Sequence, residues 1–217
     1  MRLIKPSYQI LFIPKLPLIH LEEIGRVCYK SEEKITDGSA DKFCRMLVDC
    51  RHLSVIEHES ATVRFVCDRG VSHELVRHRL ASFSQESTRY CNYKGGVTFI
   101  IPPWVHIPEG IHNIDTTLLP EELDEDQLWL LHMKQSEVFY IELIARGWSP
   151  QQARSVLPNS LKTEIVVTAN LREWMHIFEQ RTSKAAHPQM RELMVPLLLD
   201  FRERIPIIFD GVGDDKE

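Results

Sequence analysis

No stretch of this 217-residue chain stays apolar for the ~20 residues a bilayer helix needs. The opening Met1-Arg2-Leu3-Ile4-Lys5-Pro6 lacks the apolar core of a secretory leader. Cysteine is scarce: the five residues Cys28, Cys44, Cys50, Cys67 and Cys91 form no C-x-x-C pair. Neither a disulfide framework nor a structural zinc site is therefore expected, and a reducing cytoplasm is the expected compartment. Basic charge is short as well, with 26 Lys and Arg against 31 Asp and Glu, a net charge of −5. That balance argues against a nucleic-acid binder, whose backbone affinity comes from a Lys/Arg excess. The ten histidines include no H-E-x-x-H and no His-x-His pair, so no metal is expected. Internal repeats and low-complexity segments are missing too.

What remains is an ordinary globular composition of 43% hydrophobic and 26% charged residues. The length suffices for one substantial core, and no shift in composition marks a second one. One domain of mixed strands and helices is expected over residues 1–209, followed by an acidic, disordered tail over 210–217.

The chain concentrates its chemistry between Ser72 and Tyr90. The first half reads as a short helix capped by Ser72, with Leu75, Val76 and Leu80 as apolar contacts. On such a helix Arg77, His78 and Arg79 fan across ~200° of surface and repel one another unless something anionic or electron-rich lies between them. The second half, Ser82 and Ser84 through Thr88, is rich in hydroxyls and amides that favour a loop. It closes on Arg89-Tyr90. Arginine forks beside such a loop suit a planar, phosphorylated ligand.

Around this stretch the pattern predicts strands over 8–13, 61–67, 97–101 and 163–168. Helices are predicted over 18–29 and 40–51, from the acidic run at 121–126 to Gly147, and from near Pro188 onward, with a kink at Pro196. Ser149-Pro150-Gln151-Gln152 is a helix start with Ser at the cap and Pro at N1, placing Arg154 in the second turn. Asn170-Leu171-Arg172-Glu173 reads as a capping box that opens a helix through Arg181. On that helix Asn170 and Arg181 fall within ~20° of one face and ~16 Å apart along the axis, with Arg172 and His176 as an i,i+4 pair beside them. Such an extended polar surface suits a long ligand.

Arg77-His78-Arg79, seven residues, then Ser87 resembles the signature of the flavin-dependent thymidylate synthases. The blocks His52-Leu53-Ser54-Val55-Ile56-Glu57-His58, Ala153-Arg154-Ser155-Val156-Leu157-Pro158, Asn170-Leu171-Arg172 and Arg181 resemble the family's other motifs, in the family's order. The resemblance implies an α+β fold of strands packed with helices, and a homotetramer with sites at subunit interfaces. It implies reductive methylation of dUMP to dTMP, with 5,10-methylenetetrahydrofolate as carbon donor and FAD, reduced by NADPH, as hydride carrier. It places Ser54, Arg77, His78, Arg79, Asn170, Leu171, Arg172 and His176 at FAD. It places Glu74, Leu75, Val76, Arg77, Gln85, Glu86, Ser87, Thr88, Arg89, Arg154 and Arg181 at dUMP, with Arg181 the catalytic residue. Glu74 departs from the glutamine often found there, and its carboxylate suits Arg77, His78 or a sugar hydroxyl better than a phosphate.

Two residues fit a nucleophile's role by type, Cys91 beside Arg89 and Ser87 in the loop. The resemblance implies none: Arg181 stabilises negative charge on the pyrimidine so that C5 attacks the folate's methylene. His52, Glu57 and His58 read either as a polar knot ahead of a strand or as part of the site. Two other classes stay open on residue types alone. One is a non-catalytic nucleotide- or nucleic-acid-binding module clamping phosphate with Arg77–Arg89; the other is a metal-dependent hydrolase built on His52, His58 and His78.

Overall fold

The computed structural model describes residues 1–213. In chain order the elements are β1 (Arg2–Ile4), β2 (Ser7–Phe12), α1 (Pro17–Val27), α2 (Ser39–Asp49), β3 (Ser60–Asp68), α3 (Arg69–Leu75), β4 (Ala81–Gln85) and β5 (Thr98–Ile100). They continue with β6 (Gly110–Ile111), α4 (Glu125–Ala145), α5 (Pro150–Ala153), β7 (Lys162–Asn170), α6 (Leu171–Arg181), α7 (Pro188–Arg204) and α8 (Pro206–Phe209). The mixture of strands and helices is the α+β class read from the sequence. Two sheets form, one ordered β5-β1-β6 and one ordered β2-β3-β7-β4.

The chain divides into two compact units, each assembled from separate stretches. One holds residues 1–7, 65–77 and 84–165; the other holds 8–64, 78–83 and 166–217. In the first unit, β1 runs parallel to β5 with Leu3 opposite Phe99, and antiparallel to β6 with Leu3 opposite Gly110. Leu3 and Phe99 are fully buried, in a core shared with Val97, Ile101, Met133 and Tyr140. The paired Asp124 and Gln127 side chains cap α4, so the helix begins at Glu125 and not at the acidic residue 121. Ser149 and Gln152 form the expected capping box at α5, but that helix gives way after one turn to a 3₁₀ turn at Arg154–Val156.

In the second unit, α1 packs on α2 at a close approach. A Cβ at Gly25 would sit 2.6 Å from the Phe43 ring, so only glycine fits there. Trp174, Phe178, Phe201 and Phe209, all fully buried, stack by edges and tilts at centroid separations of 5.1–5.9 Å. The Trp174 indole donates to the Ala61 carbonyl at 3.1 Å, tying α6 to β3.

Several sequence expectations fail in the Ser72–Tyr90 stretch. The helix starts at Arg69, because Asp68 at the end of β3 accepts from the Val71 amide at 2.8 Å. Ser72 is buried inside the helix and donates to the Arg69 carbonyl. The helix ends at Leu75, so Arg77, His78 and Arg79 lie beyond it. Leu80 adopts φ +62° and is 81% exposed, which rules it out as a core contact. The hydroxyl-rich run is partly strand: β4 alternates exposed Ser82 and Ser84 with half-buried Ala81, Phe83 and Gln85. Strands β1 and β6 were absent from the predicted pattern. Of the tail over 210–217, residues 214–217 lie outside the described residues. Val212, however, is 3% exposed and its carbonyl accepts from Arg202 at 2.6 Å, so packed chain continues past 209.

Candidate active site

In the second unit, β7 delivers Asn170 to the start of α6, where its side-chain oxygen accepts from the Glu173 amide at 2.8 Å. A full capping box needs the Glu173 carboxylate to reach back to Asn170. It turns instead toward His78, with Oε1 3.8 Å from Nδ1. On the other side of the same imidazole, Arg181 Nε donates to Nε2 at 2.9 Å. His176, one turn along α6 from Arg172, sets its ring edge-on to His78 with centroids 6.0 Å apart. The arginine read as catalytic is thus anchored by the middle residue of the Arg-His-Arg motif.

The electrostatics follow from burial. The His78 side chain is 3% exposed, and desolvation, reinforced by the Arg181 guanidinium and His176, pushes its pKa down to about 4. A neutral imidazole with Nε2 accepting carries its proton on Nδ1, facing Glu173. Burial raises the Glu173 carboxyl above the ordinary carboxylate range, against the pull of His176 and Arg172. Glu173 Oε1 is buried and has no hydrogen-bond partner. The ligand atoms of His78, Glu173 and His176 lie within 4.8 Å of one another, a spacing compatible with a cation. Arg181 Nε donates into the same cluster through His78 Nε2.

Beside the cluster lie two cavities of about 350 and 380 Å³ that share Leu53 and Arg172 in their walls and so adjoin as the two parts of a trough. One end is lined by Asn170, His176, Glu57 and the exposed Leu80; the other by Ser54, His52, Cys28 and Tyr29. Arg172 pairs with Glu57 where the two meet. Of the residues expected at FAD, Asn170, Arg172 and His176 line the first cavity and Ser54 the second, with Arg172 in the wall of both. The trough's polar donors and apolar walls fit an elongated, part-aromatic group such as FAD, and the unpartnered Glu173 oxygen marks a polar wall suited to a donor. Leu171 departs from the expectation. Its side chain is fully buried and its amide donates to the Glu59 carbonyl, so it supports the helix and not a ligand. Arg79 is exposed, as is Arg77 in the first unit.

The first unit carries a separate cavity of about 400 Å³, lined by Thr88, Arg154, Arg69, His73 and Asn159 among others. Arg154 donates to the Thr88 hydroxyl at 3.0 Å, joining two residues expected at dUMP. Arg69 and His73 were not anticipated; they stand one turn apart on α3, which starts at Arg69 behind the Asp68 cap. Other expected contacts are committed internally. Gln85 Nε2 donates to the Ser72 and Thr163 hydroxyls. Glu86 accepts from the Tyr93 hydroxyl at 2.7 Å and from Lys162 at 3.0 Å. Burial opposes the Lys162 charge, but Glu164 and Glu86 outweigh it and hold the ammonium above its ordinary pKa, while burial and Glu86 raise the Tyr93 phenol. Leu75 is core at 1% exposure, while Val76 and Arg89 are exposed and Ser87 is half-buried.

Sequence reasoning missed Glu173. Its signal was its spacing, three residues ahead of His176 on the helix that ends at Arg181.

Comparison with known proteins places this arrangement. The family model described as thymidylate synthase complementing protein matches residues 17–207. A flavin-dependent thymidylate synthase of Mycobacteroides abscessus is 33% identical over 210 residues, covering 87% of this chain and 77% of the relative. Those of Geobacter sulfurreducens and Pyrococcus furiosus are 33% and 32% identical over 197 and 185 residues, covering 79% and 70% of the relatives. In fold, the chain is similar to a crystal structure of a UMP/dUMP methylase from Streptomyces cacaoi bound with 5-Br dUMP. The TM-score is 0.75 at 23% identity, over 97% of this chain and 96% of that one. The match runs through the Arg-His-Arg motif, the Asn170-capped helix and Arg181 alike, and the chain belongs to the family of flavin-dependent thymidylate synthases.

Proposed function

We propose that this chain methylates dUMP to dTMP, with 5,10-methylenetetrahydrofolate as carbon donor and NADPH as reductant. The observation that carries the reading is the anchored Arg181, held by a buried neutral imidazole at the end of a helix whose other polar residues line a trough. Such a guanidinium can accept developing negative charge on a pyrimidine without any covalent enzyme nucleophile. Nε-anchoring removes most of its rotational freedom before substrate arrives, so little entropy is lost in orienting it. Asn170, Arg172, His176 and Ser54 would hold FAD along the trough, with Arg79 near its phosphates. Bound there, FAD would supply the hydride that turns methylene into methyl.

Arg154 and Thr88, with Arg69 and His73, form the cationic and hydroxyl-bearing wall suited to a nucleotide phosphate. Glu74, Val76, Arg77, Ser87 and Arg89 belong to the same nucleotide-contacting segments. Glu86 and Gln85 contribute by bracing them, since their side-chain atoms are engaged within the protein. We further propose a homotetramer, supported by the apolar residues Leu11, Phe12 and Leu16, which remain 48%, 54% and 69% exposed.

Purification followed by a dUMP assay tests the reading. The protein should be yellow or take up FAD, and should form dTMP only when dUMP, the folate and NADPH are all present. Correctly assembled protein that binds dUMP yet holds no flavin and forms no dTMP would be a nucleotide-binding module instead.

A further inference from the structure

Beyond lining the trough, Glu173 has no part in the reading so far, yet it is an 11%-exposed carboxylate whose buried oxygen lacks a hydrogen-bond partner. Unsatisfied buried oxygens cost stability and are uncommon without a purpose. This one faces Nδ1 of the imidazole that holds Arg181. The three residues thus lie in a line: carboxylate, imidazole, guanidinium.

We propose that Glu173 is a positioning residue for Arg181, acting through His78 by keeping the imidazole proton on Nδ1 so that Nε2 stays a bare acceptor for the Arg181 guanidinium. The inference rests on the role given to Arg181 above and adds the means by which its orientation is set. The chemistry is that of a carboxylate selecting a histidine tautomer, here serving an arginine donor. An Nε2–H tautomer would point a donor at a donor and release Arg181; a protonated ring would add repulsion between two cations. Among the described residues, Glu173, His176 and Arg181 face His78 from α6, with Arg172 acting on Glu173 from the same helix. The low His78 pKa agrees with the geometry, since a neutral ring is what the line requires. At 3.8 Å the Glu173–His78 contact is electrostatic and not a formed hydrogen bond, leaving room to shorten when a ligand closes the trough.

Nitrogen NMR of the histidine-labelled holoprotein tests this, with the His78 signals identified by their loss in His78→Gln. In the wild type, Nε2 should appear unprotonated and Nδ1 protonated; the reverse overturns the proposal whatever the activity. Glu173→Gln should move the proton toward Nε2 and lower kcat/KM for dUMP about tenfold, mostly through kcat, with bound flavin retained. In the His78→Gln background, where an amide oxygen offers a fixed acceptor, the same Glu173 change should cost less than twofold. An unchanged tautomer in Glu173→Gln, or equal losses in both backgrounds, assigns Glu173 a merely structural part. Wild-type protein that makes no dTMP but shows the expected tautomer shift removes the catalytic reading and leaves the relay standing.

Discussion

At the residue scale, the bond from Arg181 Nε to His78 Nε2 ties the arginine to a buried ring. Arg181→Ala should lower dTMP formation by about 100-fold or more, as removal of a preorganised charge stabiliser does. The flavin absorbance of the purified protein should stay, because the residues lining the trough are untouched. Wild-type turnover in that variant would refute the assignment. The same bond gives His78 a pH signature. Unfolded, the imidazole titrates at its ordinary value of 6.5; folded, it titrates at about 4, chiefly because it is buried. Between those values the unfolded chain binds the extra proton, so this stabilisation is complete above pH 6.5 and drains away as pH falls toward 4. Chemical denaturation across that range should show a steeper loss in the wild type than in His78→Gln, and parallel curves would contradict the buried neutral ring. Cys91 is half-buried and plays no part in this network. Cys91→Ala should keep its turnover, whereas complete inactivation with flavin and dUMP still bound would restore a covalent route.

At the element scale, helix α6 matters twice, as a scaffold and as a wall of the trough, and its cap separates the two. Asn170 accepts from the Glu173 amide, so Asn170→Ala should destabilise the protein by about 1 kcal/mol in denaturant unfolding. Asn170→Asp keeps that acceptor and adds charge favourable to the helix dipole, but removes the amide donor. It should unfold like the wild type and bind FAD more weakly; unchanged FAD affinity would leave Asn170 a cap alone. This helix was legible in advance because capping chemistry and apolar spacing are local, and both its ends fell where the pattern put them. The Arg-His-Arg segment was misread for the opposite reason. Its helix is set by Asp68, a strand residue that doubles as a cap, and it stops at Leu75, so three charges expected on a helix instead continue into a turn through the left-handed Leu80. The period-two alternation of Ala81, Phe83 and Gln85 was present in the sequence, but hydroxyl content masked it.

At the scale of the whole molecule, composition and motif order set the class and the family but not the partners that each strand finds. Strand β1 is three residues long and exists because distant residues 98–100 and 110–111 pair with it, which no local pattern announces. Likewise Glu173 became visible only once the chain brought residue 78 to residue 173. The apolar residues left outside are the remaining clue. Strand β2 is outermost in its sheet, and Leu11, Phe12 and Leu16 form a wall of a cavity of about 620 Å³ with Glu59 and Arg204 at its rim. An uncovered strand edge with exposed apolar side chains invites association, and a defined oligomer is the means by which a folded protein satisfies it. If the proposed tetramer forms, light scattering should give a particle four times the 25.3 kDa protomer. Leu11→Glu with Phe12→Glu should reduce that mass while circular dichroism stays native. Should dTMP formation fall in step with the loss of mass, sites completed across subunits follow. A tetramer that survives both changes would place the interface on another face and leave this edge to something else.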